Sequence, residues 1–216
     1  VKVLNLYAGL GGNRRLWPDD VEVTAVEYRE DIAEFYAYEY IDDQVMVGDA
    51  HQYLLENFRD FDFIWASTPC PTHSRARFWS HQQRDPVYPD LKLYEEILFL
   101  RHTFKGLWVV ENVKPYYEPL IAPTASLGRH LFWSNFHIEP YQATDADIHT
   151  GKRDEWQDTH GIDISGWTFQ DRTDKLLRNC VHPELGLHIL ECARGVPGTV
   201  DQMSLLNTQD KGDSPA

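Results

Sequence analysis

Apolar residues along this chain gather in short continuous runs, separated by stretches where they recur every three to four positions. Residues 1–6, 21–26, 44–47, 61–66 and 107–110 are such runs. They are too short for helices and have the continuous apolar character of strands covered on both faces. Between them, residues 31–40 put Ile32, Phe35, Tyr36 and Tyr40 on one helical face, and residues 91–102 do the same with Leu93, Ile97, Leu98 and Leu100. A helix is also expected to start near Asn13, behind a glycine-rich turn. Strands alternating with helices predict an α/β fold built on a doubly wound, mainly parallel sheet. After Pro115 the pattern weakens. Residues 129–138 predict one further, aromatic-rich strand, and residues 183–193 a closing helix through Leu185, Leu187, Ile189 and Leu190. Residues 139–172 are polar, carry Gly151, Gly161 and Gly166, and predict an irregular insertion. The expected division is a core over 1–138, the insertion over 139–172, a return to the core over 173–194 and a mobile tail over 195–216.

Composition narrows the class. The chain has 216 residues, 42% of them hydrophobic, enough for one full-sized domain with its own core. No apolar run reaches the length of a membrane span, and no secretory signal is visible. The chain begins at Val1 without a methionine, and a short preceding segment is expected. Three cysteines, Cys70, Cys180 and Cys192, form no metal-type spacing and suit a reducing compartment, so an intracellular location is expected. The ten histidines show no ligand-like spacing, and no metal is expected.

The net charge of −14 argues at first against a nucleic-acid partner. Its distribution changes that view. Residues 19–62 hold fourteen acids against Arg29 and Arg59, whereas residues 71–84 hold Arg75, Arg77 and Arg84 with no acid. A local basic loop therefore follows Cys70, and phosphate contacts by Arg75 and Arg77 are expected there. Residues 139–172 count eight acids and three bases, which leaves little there to hold a polyanion.

Candidate chemistry sits at the ends of the strand runs. The turn Tyr7-Ala8-Gly9-Leu10-Gly11-Gly12 follows the first run and lets backbone approach a ligand closely. Glu27 ends the second run, about where Rossmann-type folds place an acid for a ribose. Asp49 and Ala50 follow the third, Pro69-Cys70-Pro71 the fourth, and Glu111-Asn112-Val113 the fifth. In an open α/β sheet these ends share one edge, where ligands bind.

Together these segments resemble the DNA cytosine-5 methyltransferase family. Residues 7–12 are similar to its aromatic-Ala-Gly-x-Gly-Gly cofactor motif, Pro69-Cys70 to its Pro-Cys nucleophile with Ser74 at the family's serine, and Glu111-Asn112-Val113 to its Glu-Asn-Val. Leu177-Arg178-Asn179-Cys180-Val181 resembles the late motif that returns to the cofactor, and Phe132-Trp133-Ser134-Asn135 a segment of the animal de novo enzymes. The brevity of the chain resembles small phage-type members.

The resemblance implies a Rossmann-like, S-adenosyl-L-methionine-dependent methyltransferase fold with a very small target-recognition insertion, acting on double-stranded DNA. It implies that Cys70 adds to C6 of a flipped cytosine, Glu111 assists at N3, and Asn112 holds the loop. Around the cofactor it implies Tyr7, Ala8, Gly9, Leu10, Gly11 and Gly12, with Glu27 on the ribose, Tyr28 and Asp49 at the adenine, and Ala50 and Leu93 as further cofactor contacts. Pro69, Asn179 and Val181 complete that set, and Ser74, Arg75 and Arg77 are implied at the DNA.

Departures carry their own expectations. Pro71 stands where the family has glutamine and stiffens the loop. The Arg-x-Arg before the aromatic strand is broken: His130 stands at its second arginine and Gly128 at its first, and Arg129 is expected to act from a shifted position. The short acidic insertion implies a short or relaxed target sequence, or help from a protein partner. The expected state is a monomer in the cytoplasm of a bacterial or phage-infected cell. An RNA cytosine methyltransferase and a non-catalytic relative that keeps the cofactor pocket are the competing readings.

Overall fold

Alternate residues of the central strands enter opposite layers, as the pleat requires. In β1 (Lys2–Leu6), Leu4 and Leu6 join one apolar cluster while Val3 joins the other. The computed structural model describes residues 1–79, 85–141 and 152–195, with Phe78 and Trp79 described by backbone alone. Among these residues, β2 (Glu22–Glu27), β3 (Gln44–Val47), β4 (Phe63–Ser67), β5 (Leu107–Val113), β6 (Ala125–Leu127) and β7 (His130–Ser134) complete a seven-stranded sheet. Its order is β3-β2-β1-β4-β5-β7-β6. The strands from β3 to β5 in that order pair in parallel, while β7 runs antiparallel to both β5 and β6. This is the doubly wound, Rossmann-like sheet expected from the sequence. The order reverses at β1, so the ligand-binding crevice of such a sheet falls beyond the C-terminal ends of β1 and β4.

Helices cover both faces. Following α1 (Glu30–Glu39), α2 (Ala50–Asn57) packs Ala50 and Leu54 on the face that receives Leu4 and Leu6. Next come the short α3 (Ala76–Trp79) and then α4 (Lys92–Thr103), which sends Leu93, Ile97 and Leu100 into the same layer. Leu98, expected inside, is 48% exposed on the outer side of α4. On the opposite face, after α5 (Arg153–His160) and α6 (Thr173–Asn179), α7 (Pro183–Arg194) buries Leu185, Ile189 and Leu190 against Val3, Trp65 and Phe132.

Several boundaries differ from expectation for identifiable reasons. The fifth strand runs to Val113, because β7 pairs with it as far as that residue, so Glu111 and Asn112 lie inside the strand. The helix expected near Asn13 is a series of turns, closed by Arg14, Arg15 and Trp17 amides donating to the carbonyls of Gly11, Gly12 and Arg14. Five residues separate Gly12 from Pro18, and the Trp17 indole must also reach the Gly186 carbonyl at 3.1 Å. That leaves no room for a helix to propagate.

The insertion is only partly irregular. Its α5 buries Trp156, and Ile162 and Ile164 follow into a cluster with Leu10, Ile32, Phe35 and Leu177. Trp167 and Phe169 meet the Phe35 ring at 5.2 and 5.8 Å. The Gln170 amide donates to Asp31 at 2.7 Å, and Asp171 lies 3.6 Å from Arg29. The described part of the insertion is therefore fastened to α1. The proposed tail beyond Gly195, residues 142–151 and Arg84 lie outside the described residues.

Candidate active site

The turn after β1 is shaped by backbone conformations that most side chains avoid. Gly9 and Gly11 have φ of 56° and 78°, and Tyr7 itself has φ 56°. A tyrosine there is strained, and a bond holds it: its hydroxyl donates to Glu96, a fully buried carboxylate on α4 that also meets His51 Nδ1 at 2.9 Å. Burial and Glu96 together push the Tyr7 phenol far above its ordinary range. A Cβ on Gly12 would lie 2.5 Å from the Val181 carbonyl, and one on Gly186 would lie 2.2 Å from the Asn13 carbonyl. The return segment and α7 are thus pressed against the turn, and only glycine fits the seam. At the end of β2, Glu27 accepts from the amides of Gly9 and Arg29, each at 3.0 Å. Beside it the Tyr28 ring is 76% exposed.

The loop after β4 is held from β5. Asn112 Nδ2 donates to the Thr68 carbonyl at 3.1 Å and to its hydroxyl at 2.8 Å, while Oδ1 accepts from the Val113 amide. Asn112 therefore fixes the loop. The Cys70 carbonyl accepts from the amides of His73 and Ser74, both at 3.0 Å, which turns the chain back behind the thiol. His73 is buried with Nδ1 2.6 Å from the Tyr117 hydroxyl. Arg75 Nε donates to the Pro115 carbonyl, and Arg77 to the carbonyls of Pro71 and Asp85. Both arginines brace the loop that carries Cys70.

Glu111 pairs with Ser67 across β4–β5 and with Phe132 across β5–β7. His130, two residues from Phe132, reaches across with Nδ1 2.6 Å from Glu111 Oε1. Arg129 points elsewhere: Nη2 donates to the Arg178 carbonyl at 2.6 Å and the Cys180 carbonyl at 3.1 Å. These bonds anchor the return segment, while Arg129 also lines the cavity that holds Cys70 and Glu111. Its charge still bears on Cys70. Burial and then Glu111 push the Cys70 thiol up, while Arg129 and Lys175 pull it part of the way back.

One cavity of about 350 Å³ collects most of these groups. From the turn it takes Tyr7, Ala8, Gly9, Leu10 and Gly12, and from the end of β2 Glu27 and Tyr28. Pro69, Cys70, Glu111, Asn112 and Arg129 form the opposite wall, and Asn179 and Val181 come from the return segment. Gly11 lies outside that lining, because a Cβ there would sit 2.3 Å from the Tyr40 ring, within packed aromatics. Asp49, Ala50 and Leu93 are also outside it. Asp49 caps α2 through the amides of His51 and Gln52 and lies 3.5 Å from Lys92, while Ala50 and Leu93 are core residues. Ser74, Arg75 and Arg77 flank the cavity without lining it. Lys175 also lines the cavity, and no motif marks it. His130, at the position of the second arginine of the Arg-x-Arg, is made a neighbour of Glu111 by the register of β5 and β7.

The arrangement suits a nucleoside-bearing cofactor with a charged amino-acid end. An acid at the strand end can accept from vicinal hydroxyls, an exposed ring stands ready beside it, and the left-handed turn brings backbone close. These features fit S-adenosyl-L-methionine.

Comparisons with known proteins agree with this chemistry. No curated protein matches the chain. Solved structures do so at low similarity. DNMT2 of Spodoptera frugiperda, in a mutant form, is 23% identical over 52% of this chain and 35% of its own, with a TM-score of 0.38. The Entamoeba histolytica methyltransferase EhMeth is 16% identical over 52% of this chain and 38% of its own, at 0.37. The PH0226 protein of Pyrococcus horikoshii is 24% identical over 52% of this chain and 49% of its own, at 0.36. The chain thus spans from about a third to a half of the length of these proteins. A family model for C-5 cytosine-specific DNA methylases matches residues 1–115, more than half of the 216-residue chain and the part holding the turn, Glu27, Cys70 and Glu111. The chain belongs to the C-5 cytosine-specific DNA methylase family.

Proposed function

We propose that this protein methylates C5 of cytosine in DNA, with Cys70 as nucleophile and Glu111 as acid. The observation that carries the reading is the meeting of Cys70, from the end of β4, and Glu111, from the adjacent β5, in the cavity that also holds the glycine turn and Glu27. S-adenosyl-L-methionine, when bound, supplies a methyl group activated by a sulfonium.

The ring carbon that takes the methyl is too weak a nucleophile unaided. Cys70, its S–H proton given up to solvent, adds as thiolate to C6, the C5=C6 electron pair shifts to C4–C5, and the C4=N3 pair takes the proton of Glu111. C5 is then nucleophilic enough to accept the methyl. A water molecule takes the C5 proton, the C5=C6 double bond re-forms, Cys70 leaves as thiolate, and the N3 proton returns to Glu111. A stacked base cannot reach Cys70, so the cytosine must be flipped out of the duplex. Gly9, Gly12, Glu27, Tyr28, Asn179 and Val181 form the cofactor side of the pocket in this reading. Arg75 and Arg77 beside the Cys70 turn supply phosphate contacts.

Duplex DNA carrying 5-fluorocytosine, offered with S-adenosyl-L-methionine, tests the proposal, because fluorine at C5 blocks release. A covalent adduct is expected, and it should vanish in Cys70→Ser. Reaction with 5-fluorocytosine RNA alone would move the substrate to RNA. Cofactor binding by calorimetry with no adduct on either polymer would leave a binding protein.

A further inference from the structure

His130 enters the cavity from β7, the antiparallel strand beside β5. Its backbone stands opposite Val113, which sets the imidazole diagonally across from Glu111. His130 is 4% exposed and Glu111 6%, and the 2.6 Å contact between Nδ1 and Oε1 is the side-chain hydrogen bond that joins them. Arg129, the neighbouring cation, is tied to the carbonyls of Arg178 and Cys180 and makes no bond to the Glu111 carboxyl.

An imidazole differs from a guanidinium in one respect that matters here. A guanidinium only donates and stays charged, whereas Nδ1 of a neutral histidine either donates or accepts, according to tautomer. The choice decides where Glu111 keeps its proton. If Nδ1 accepts, the proton lies on Oε1, locked between the two side chains and turned away from a substrate. If Nδ1 carries hydrogen, Oε1 is the acceptor and the transferable proton lies on Oε2.

We propose that His130 is a positioning residue whose Nδ1–H holds Oε1 of Glu111, so that the proton this carboxylate takes up for the reaction lies on Oε2, facing the cytosine ring. The inference rests on the cytosine-5 reading above and adds to it how the acid is oriented. As the Sγ–C6 bond forms, the Oε2–H bond breaks and N3–H forms; the carboxylate left behind is stabilised by the Nδ1–H of His130, which is not itself transferred. When the C6–S bond breaks, the proton returns from N3 to Oε2. A buried carboxylate formed during the reaction would otherwise have no donor at Oε1, and the step would slow.

Three variants and one spectrum test this. His130→Phe keeps a ring without a donor; His130→Asn keeps an N–H near Nδ1; His130→Gln keeps one near Nε2. The rate of adduct formation on 5-fluorocytosine DNA is expected to fall about 10²-fold in His130→Phe. It should recover at least about tenfold in His130→Asn but not in His130→Gln, with cofactor affinity unchanged throughout. In the unaltered protein, ¹⁵N spectra of His130 should show a neutral ring protonated at Nδ1. Wild-type rates in His130→Phe, or rescue by Gln instead of Asn, would overturn the proposal. So would a ring protonated at Nε2 or at both nitrogens. If the unaltered protein forms no adduct on DNA or RNA, the cytosine-5 reading fails, and the spectrum alone then decides the tautomer. Folding of each variant is checked by cofactor calorimetry, and the spectrum needs no variant.

Discussion

Cys70 stands between opposing influences. Burial and the Glu111 carboxylate hold its thiol protonated, while Arg129 and Lys175 favour the thiolate. Reactivity follows thiolate fraction, so Cys70 should be a slow thiol at neutral pH and quicken as pH rises beyond the ordinary cysteine range. Removing the Glu111 charge should therefore have opposite effects on two measurements. In Glu111→Gln, alkylation of Cys70 by iodoacetamide at pH 8, followed by mass spectrometry, is expected to speed up a few-fold, while methyl transfer falls about 10²-fold or more. Equal slowing of both would mean that the substitution disturbs the loop instead of the charge. At this scale the sequence is informative where chemistry is local: Pro-Cys and Glu-Asn-Val mark Cys70 and Glu111 without knowledge of the fold. It is silent on contacts made by the fold, such as the cross-strand bond of His130 to Glu111 and the capping bonds of Asp49 at the start of α2.

At the scale of elements, the apolar runs of β1 to β5 are legible because a doubly covered strand has little choice of residue. The helices α5 and α6 are hidden, since each shows solvent most of its surface and α5 buries only Trp156 and His160. His160 gives this region a titration of its own. Its ring is buried near His182 and Arg129, its Nδ1 has no partner, and these surroundings lower it from 6.5 to about 4. The unfolded chain then binds the proton more readily than the folded one between these values. Stability contributed by neutral His160 is present above pH 6.5 and is lost as pH falls towards 4, at most about 3 kcal/mol. Urea unfolding at stepped pH should show this decline in the unaltered protein. In His160→Leu the curve should be flatter over the same interval, and an unchanged slope would assign the decline to other groups.

For the molecule as a whole, fold and charge were legible to different depths. The parallel order and the switch at β1 follow from alternation of elements, whereas the antiparallel β7–β6 pair is signalled by one aromatic stretch alone. The fate of the insertion was not visible in composition. Its polar residues look free, yet Trp167, Phe169, Gln170 and Asp171 fasten residues 152–172 to α1 on the cofactor side.

That fastening bears on how a target would be chosen. Of the described residues, 152–172 are held beside the cofactor pocket and are not free to lie along a groove reading base edges, so they add little contact energy for distinguishing one sequence from another. What remains is mechanical: the ease with which a given cytosine leaves its stack. Flipping costs a few kcal/mol and is cheapest at mismatched or unpaired bases. Under the proposed function, cytosines opposite a mismatch or in a bulge should therefore be modified faster than the same cytosines in a perfect duplex, while flanking sequence matters little. Competition between the two substrates in one reaction, read by bisulfite sequencing, measures the ratio, and a ratio near one would mean that some other part of the protein or a partner does the choosing. On this view the molecule selects by compliance of the DNA, as a gauge responds to slack, rather than by spelling.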